Sequence, residues 1–120
     1  MKHQKTILVV DDNGSNRLVP GLILRPFGFT VLESSSGQEA IDMLLHVEVS
    51  GVLLDIQMPG LSGLEVLRRI RSDPRHRKTK VIAYTAYANS GDVEGLIAQG
   101  FNAVLLKPIK SIDLINTLSY

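Results

Sequence analysis

Four short apolar runs in this chain each end on a side chain able to do chemistry. Thr6-Ile7-Leu8-Val9-Val10 runs into Asp11 and Asp12, and Gly51-Val52-Leu53-Leu54 into Asp55, with Met58-Pro59-Gly60 close behind. Val81-Ile82-Ala83-Tyr84 stops at Thr85, and Ala103-Val104-Leu105-Leu106 at Lys107-Pro108. Singly, such residues are turn formers, helix caps or solvated side chains. If all four fall at one edge of a sheet, the plain readings have to coincide. Three converging carboxylates repel unless a cation lies among them. The chain has no Cys, and no His falls near the carboxylates that end these runs, so hard oxygen ligands for Mg²⁺ or Mn²⁺ are indicated. A divalent ion that keeps water ligands can orient a phosphoryl group. Lys107 adds a point charge for phosphoryl oxygens and Thr85 a hydroxyl donor. In that company Asp55 can act as a nucleophile toward phosphorus, giving an aspartyl phosphate, with the backbone N–H groups after it helping to hold the transferred group.

The elements needed to bring these residues together are legible. The apolar runs are too short for helices and read as strands, that of Asp55 buried on both faces. A fifth strand covers Phe29 to Glu33, and Ser34-Ser35-Ser36-Gly37 forms a turn. Between the strands, apolar residues recur at helical spacing: a helix over about Asn16 to Arg25, capped by Asn13 or Ser15, then Ala40, Ile41, Leu44 and Leu45. Leu61, Leu64, Leu67 and Ile70 mark a helix stopped by Asp73-Pro74, and Val93, Leu96 and Ile97 a short one closing at Gly100. Ile112, Ile115 and Leu118 are expected to be the apolar face of the last helix. Pro20-Gly21 inside the first helix predicts a kink or an early end. Five strand–helix alternations predict a doubly wound α/β domain, a five-stranded parallel sheet in the flavodoxin-like order 2-1-3-4-5 with helices on both faces. The four chemical ends then meet in the crevice beyond the strand ends.

Composition fits one soluble domain over residues 1–120: 44% hydrophobic, 21% charged, net charge +1. Absence of Cys fits a reducing compartment, and no stretch resembles a signal peptide or membrane span, so the expected location is cytoplasmic. Seven of the thirteen basic residues, Arg68, Arg69, Arg71, Arg75, Arg77, Lys78 and Lys80, fall in one stretch. No aromatic interleaves them, so they read as a solvated helix end, with Glu65 four residues before Arg69, and no direct nucleic-acid partner is expected. His3, His46 and His76 are too scattered for a metal site or a phosphotransfer histidine, and His46 reads as a helix-end residue.

With these residues in view, the sequence resembles the receiver domain of two-component response regulators over essentially its whole length. The resemblance rests on Val9-Val10-Asp11-Asp12-Asn13, Leu54-Asp55-Ile56-Gln57-Met58-Pro59-Gly60 with Gly63, Thr85-Ala86, and Lys107-Pro108-Ile109. It implies that Asp55 accepts phosphate from a phosphohistidine of a sensor histidine kinase or a histidine phosphotransfer protein. It implies Mg²⁺ held directly by Asp12 and Asp55, by Asp11 mainly through water, and by the backbone carbonyl of Gln57. Lys107 would pair with the phosphoryl oxygens, its bond to Pro108 cis, and Thr85 would swing toward the phosphate and switch binding of a downstream protein. The resemblance leaves open whether phosphorylation drives dimerisation. Asp12 to Arg17 is most similar to receivers of hybrid kinases and phosphorelay proteins. The family's aromatic three residues before the lysine, coupled to the threonine as a switch, is Val104 here, so Tyr84, Tyr87 or Phe101 is left to take part of that role; Pro20-Gly21 could alter a docking face for a histidine phosphotransfer partner. Gln57 and Tyr87, each two residues beyond a site residue, are expected either to tune the lifetime of the acyl phosphate or to be plain loop residues.

The expected function is a stand-alone phosphoacceptor switch, not an enzyme beyond its own phosphorylation and dephosphorylation at Asp55. The alternatives are a receiver excised from a hybrid kinase or multidomain regulator, a Mg²⁺-dependent phosphatase with Asp55 as turnover nucleophile, and a flavin carrier. Haloacid-dehalogenase-like phosphatases carry a general acid two residues after the nucleophile, where this chain has Gln57. The first strand lacks the Ser/Thr/Gly-rich phosphate loop that a flavin carrier uses.

Overall fold

The computed structural model describes residues 5–86 and 90–118, at 90 and 91 the backbone alone. Strands β1 (Thr6–Val10), β2 (Thr30–Ser34), β3 (Gly51–Asp55), β4 (Lys80–Thr85) and β5 (Ala103–Leu106) form one parallel sheet in the order β2-β1-β3-β4-β5. Helices α1 (Gly14–Leu24), α2 (Gly37–Leu44), α3 (Gly63–Ser72), α4 (Ser90–Gln99) and α5 (Ser111–Leu118) connect and flank the strands. This is the predicted doubly wound sheet. β2 lies one residue later than expected, and two 3₁₀ turns, Arg25–Phe27 and Pro74–His76, were not anticipated.

Alternation along the strands divides the core in two. Leu8, Val10, Val52, Leu54, Val81 and Ala83 pack with residues of α2 and α3 and with Phe101 on one face. Ile7, Val9, Leu53, Ile82, Tyr84 and Leu105 pack with Leu24 of α1 and with Leu114 and Leu118 of α5 on the other. β3, in the middle, is buried along its whole length, as its unbroken apolar run requires.

Three local expectations are corrected or refined. The early end of the first helix does not occur: α1 runs through buried Pro20 to Leu24. Pro20 lacks the N–H that would bond Asn16, but burial of Leu24 against the sheet holds the following turn in place. The apolar face of α5 is Leu114 with Leu118, one turn apart, flanked by half-buried Ile115; Ile112 is 66% exposed, because two residues before Leu114 lies on the far side of the helix. Leu45, just past α2, is likewise exposed. The expected stops at Asp73-Pro74 and Gly100 do occur, Gly100 taking the left-handed φ of 121°.

The basic stretch is only partly a solvated helix end. Arg71 donates to the carbonyls of Thr79 (2.7 Å) and Gly100 (3.1 Å) and to Asn102 Oδ1 (2.6 Å), tying α3 to the segments that enter β4 and β5. Lys80 donates to the carbonyl of Thr117 at 2.8 Å. Arg68 and Arg69 remain exposed, each 3.8 Å from Glu65. His46 is exposed beyond the end of α2. His76 is buried, with Nε2 2.9 Å from the carbonyl of Leu44; an acceptor there requires the ring to carry its hydrogen on Nε2. Among the described residues the chain has no helix long and apolar enough to cross a membrane.

Candidate functional site

The four chemical strand ends meet at the carboxyl edge of the sheet. β1 delivers Asp11, fully buried, and exposed Asp12; β3 delivers Asp55, buried; β4 delivers Thr85, also buried; Lys107 follows β5. Pairing of neighbouring strands sets their heights, because Asp55 stands opposite Tyr84 and Thr85 opposite Leu106. The Lys107 backbone N–H then continues the ladder to the carbonyl of Thr85 at 2.9 Å.

Lys107 is the hub. Its Nζ lies 3.0 Å from Asp11 Oδ2 and 3.5 Å from Asp55 Oδ2, and its peptide bond to Pro108 is cis. Asp11 Oδ1 accepts from the Asn13 N–H at 2.9 Å, and Asp55 Oδ1 from the Gln57 N–H at 3.1 Å. Asn13 in turn caps α1, its Oδ1 accepting from Asn16 N–H at 3.0 Å. Burial raises the Asp55 carboxyl above its ordinary value of 3.8, with the charge of Asp11 adding to the rise and the Gln57 N–H and Lys107 opposing it. Burial alone would lower the Lys107 ammonium, but the hydrogen bond and charge of Asp11, with the charge of Asp55, outweigh it and hold the group above its ordinary range.

Oxygens of Asp11, Asp12 and Asp55 all lie within 4.8 Å of one another, the spacing of groups that can share one cation. Among the described residues the ammonium paired with this cluster is that of Lys107, on Asp11 and Asp55, so three carboxylates outnumber it and the cluster carries net negative charge. An all-oxygen donor set of this kind fits a hard divalent ion. The backbone carbonyl proposed for Gln57 belongs to the same turn, while the Gln57 side chain is exposed. On the Thr85 and Gln57 side, a cleft of about 420 Å³ opens between the start of α3 and α4, lined also by Ile56, Leu64, Asp92 and Leu96.

Two further contacts support the site, one without a signal in the sequence and one at a glycine that the resemblance includes. Arg17 Nη1 donates to the Asp11 carbonyl at 2.7 Å while its Nε reaches Glu33 Oε1 at 3.2 Å, bracing the acidic turn from α1 and β2. No local spacing signals that, since Arg17 and Glu33 are 16 residues apart. The second is Gly63. A Cβ there would lie 2.6 Å from the Asp55 carbonyl oxygen and 2.8 Å from Ile56 Cα, both backbone atoms. Only glycine lets α3 begin this close behind Asp55. Gly63→Ala is expected to destabilise the fold by about 2 kcal/mol in urea unfolding, by forcing the segment after Asp55 away. An unchanged unfolding midpoint would show that this backbone gives way freely.

Of the aromatics considered for the Val104 position, Phe101 is buried in the core beside α3, and Val104 is half-buried on the same face. Tyr84 lies on the opposite face, its ring beneath Lys107. Tyr87 falls outside the described residues.

A parallel sheet in this order, with acidic, hydroxyl and lysine groups gathered along its carboxyl edge, is the arrangement of a receiver. Residues 7–119 match the family model of the response regulator receiver domain, and the chain belongs to that family. It is 34% identical over 114 residues to the polar-differentiation response regulator DivK of Brucella ovis, covering 95% of this chain and 93% of that one. Among solved structures, the fold is shared with chemotaxis protein CheY4 of Vibrio cholerae (TM-score 0.90, 24% identity, 98% of each chain). It is shared also with the receiver domain of a sensor histidine kinase from Pseudomonas aeruginosa (TM-score 0.85, 30% identity, 98% of this chain and 100% of that one). That domain holds a magnesium ion coordinated in its active site cleft.

Proposed function

We propose that the chain is a phosphoacceptor switch: Asp55 takes a phosphoryl group from the phosphohistidine of a sensor histidine kinase or a histidine phosphotransfer protein, and the phosphorylated form binds a downstream protein in the cytoplasm. The observation that carries this reading is the placement of the Asp55 carboxylate, buried at the end of β3, 3.5 Å from Lys107 Nζ and within 4.8 Å of Asp11 and Asp12. Asp11, Asp12, Asp55 and the Gln57 carbonyl would hold Mg²⁺, with Mn²⁺ able to replace it; bound there, such an ion would supply positive charge for the carboxylates and the phosphoryl oxygens. A carboxylate oxygen of Asp55 forms the new P–O bond as the P–N bond breaks, and the imidazole nitrogen keeps the bonding pair and takes a proton from solvent. Lys107 offers its ammonium to the phosphoryl oxygens, and Thr85 its hydroxyl. Water later attacks phosphorus, releasing inorganic phosphate and restoring the carboxylate. A turnover phosphatase is disfavoured, because Gln57 supplies no acid–base group two residues beyond Asp55.

The test is intact mass after incubation with phosphoramidate and Mg²⁺, beside samples in EDTA and samples of Asp55→Asn. The expected result is one phosphoryl adduct that requires Mg²⁺ and is absent from Asp55→Asn. An adduct that survives the substitution moves the acceptor elsewhere, and none on the parent chain overturns the reading.

A further inference from the structure

Tyr84 precedes Thr85 on β4 and is buried among the residues facing α1 and α5. Its ring centroid lies 4.7 Å from Lys107 Nζ. The ammonium is thus held from three sides: by Asp11 at 3.0 Å, by Asp55 at 3.5 Å and by the ring. These neighbours do not act alike. The carboxylates accept N–H donors, and any cation they share competes with Lys107 for the same oxygens. The ring attracts the ammonium through its electron-rich face, which depends on no carboxylate oxygen. Burial also keeps the phenol neutral, since it raises Tyr84 above its ordinary value of 10.0 even beside the lysine.

We propose that Tyr84 is a positioning residue for Lys107: its ring seats the ammonium at the Asp55 carboxylate and leaves N–H donors facing the place where phosphoryl oxygens arrive. The inference rests on the phosphoacceptor reading above and deepens it. The ring reaches the lysine from β4, on the face of the sheet opposite to the one where half-buried Val104 of β5 packs. The ring is what matters, and the hydroxyl is dispensable.

Tyr84→Phe and Tyr84→Leu separate these roles. The rate of phosphorylation by phosphoramidate is followed by intact mass, Mg²⁺ affinity by titration calorimetry, and the Lys107 ε-methylene protons by NMR. Tyr84→Phe is expected to keep the rate within about twofold and Tyr84→Leu to lower it about tenfold, with Mg²⁺ affinity unchanged in both. The ε-methylene protons should show an upfield ring-current shift in the parent chain and in Tyr84→Phe. Equal losses in both variants would assign the effect to the hydroxyl and overturn the proposal, as would a parent-like rate in Tyr84→Leu. A matching loss of Mg²⁺ affinity would show that Tyr84 acts through the carboxylates, and overturns it too. An absent ring-current shift in the parent refutes the contact whatever the kinetics. No adduct on the parent chain defeats the phosphoacceptor reading and this inference with it, a result distinct from an adduct whose rate ignores the ring. Should Tyr84→Leu fail to fold, Tyr84→Met takes its place.

Discussion

Truncating Lys107 to Ala is expected, on the proposed reading, to slow phosphorylation of Asp55 about 100-fold and, in EDTA, to destabilise the fold by about 3 kcal/mol. The two effects share one cause. Asp11 is fully buried, and the ammonium of Lys107 at 3.0 Å is its charged partner. Removing that partner leaves a buried carboxylate facing two others, with the Asn13 N–H on Asp11 Oδ1 the remaining offset among the described residues. Breaking a buried pair from one side is more damaging than never having built it, because the stranded charge keeps its full desolvation penalty. On the proposed reading, Lys107 also provides positive charge where charge develops on the phosphoryl oxygens. A divalent ion among the carboxylates should return part of the stability but little of the rate. Urea unfolding with and without Mg²⁺, beside intact-mass kinetics, checks both halves. A variant as stable as the parent in EDTA, or equally fast, would deny the lysine its place as hub.

The strand ends were legible because each joins an apolar run to a residue of different chemistry, and a parallel sheet brings all such ends to one edge. What could not be read was anything decided by contacts distant in sequence. Arg71 looked like one more solvated arginine, yet three acceptors, at residues 79, 100 and 102, hold it in place. Arg17 carried no local signal for its bond to the Asp11 carbonyl. The early end offered at Pro20 does not occur because the local cost of a missing hydrogen bond is outweighed by burial of the next turn, which a sequence window does not contain. In α5 the error was one of phase. Four apolar positions, 112, 114, 115 and 118, fit two overlapping faces, and only the sheet selects Leu114 with Leu118. Serine caps were available to be read: Ser36 with Glu39 and Ser62 with Glu65 carry the spacing of a capping box, and each serine hydroxyl accepts the glutamate N–H.

Asp55→Asn should raise the melting temperature in EDTA at neutral pH and, on the proposed reading, remove most of the gain expected from Mg²⁺ on the parent chain. The sign follows from the environment. Burial and the charge of Asp11 disfavour the ionised carboxylate more than the Gln57 N–H and Lys107 favour it, so its folded-state pKa lies above 3.8. As pH rises from 3.8 toward that raised value, the unfolded chain has released this proton and the folded chain still holds it. Stability therefore falls across that window and stays lower above it. Asparagine keeps an oxygen for the Gln57 N–H and sheds the charge, and Lys107 retains its shorter contact to Asp11. Relief of a buried charge of this kind is worth roughly 1 kcal/mol, or about 4 °C for a chain this size. On the proposed reading Mg²⁺ would work in the opposite direction on the parent: an ion bound only by the folded form, at 100 times its dissociation constant, adds about 2.7 kcal/mol. The parent should then overtake the variant as Mg²⁺ is added, and the two melting curves should cross. Calorimetric scans in EDTA and at rising Mg²⁺ test this directly. Equal gains in the two proteins would place the ion away from Asp55, and a lower melting temperature for the variant in EDTA would mean that the lysine contact, not burial, dominates this carboxylate.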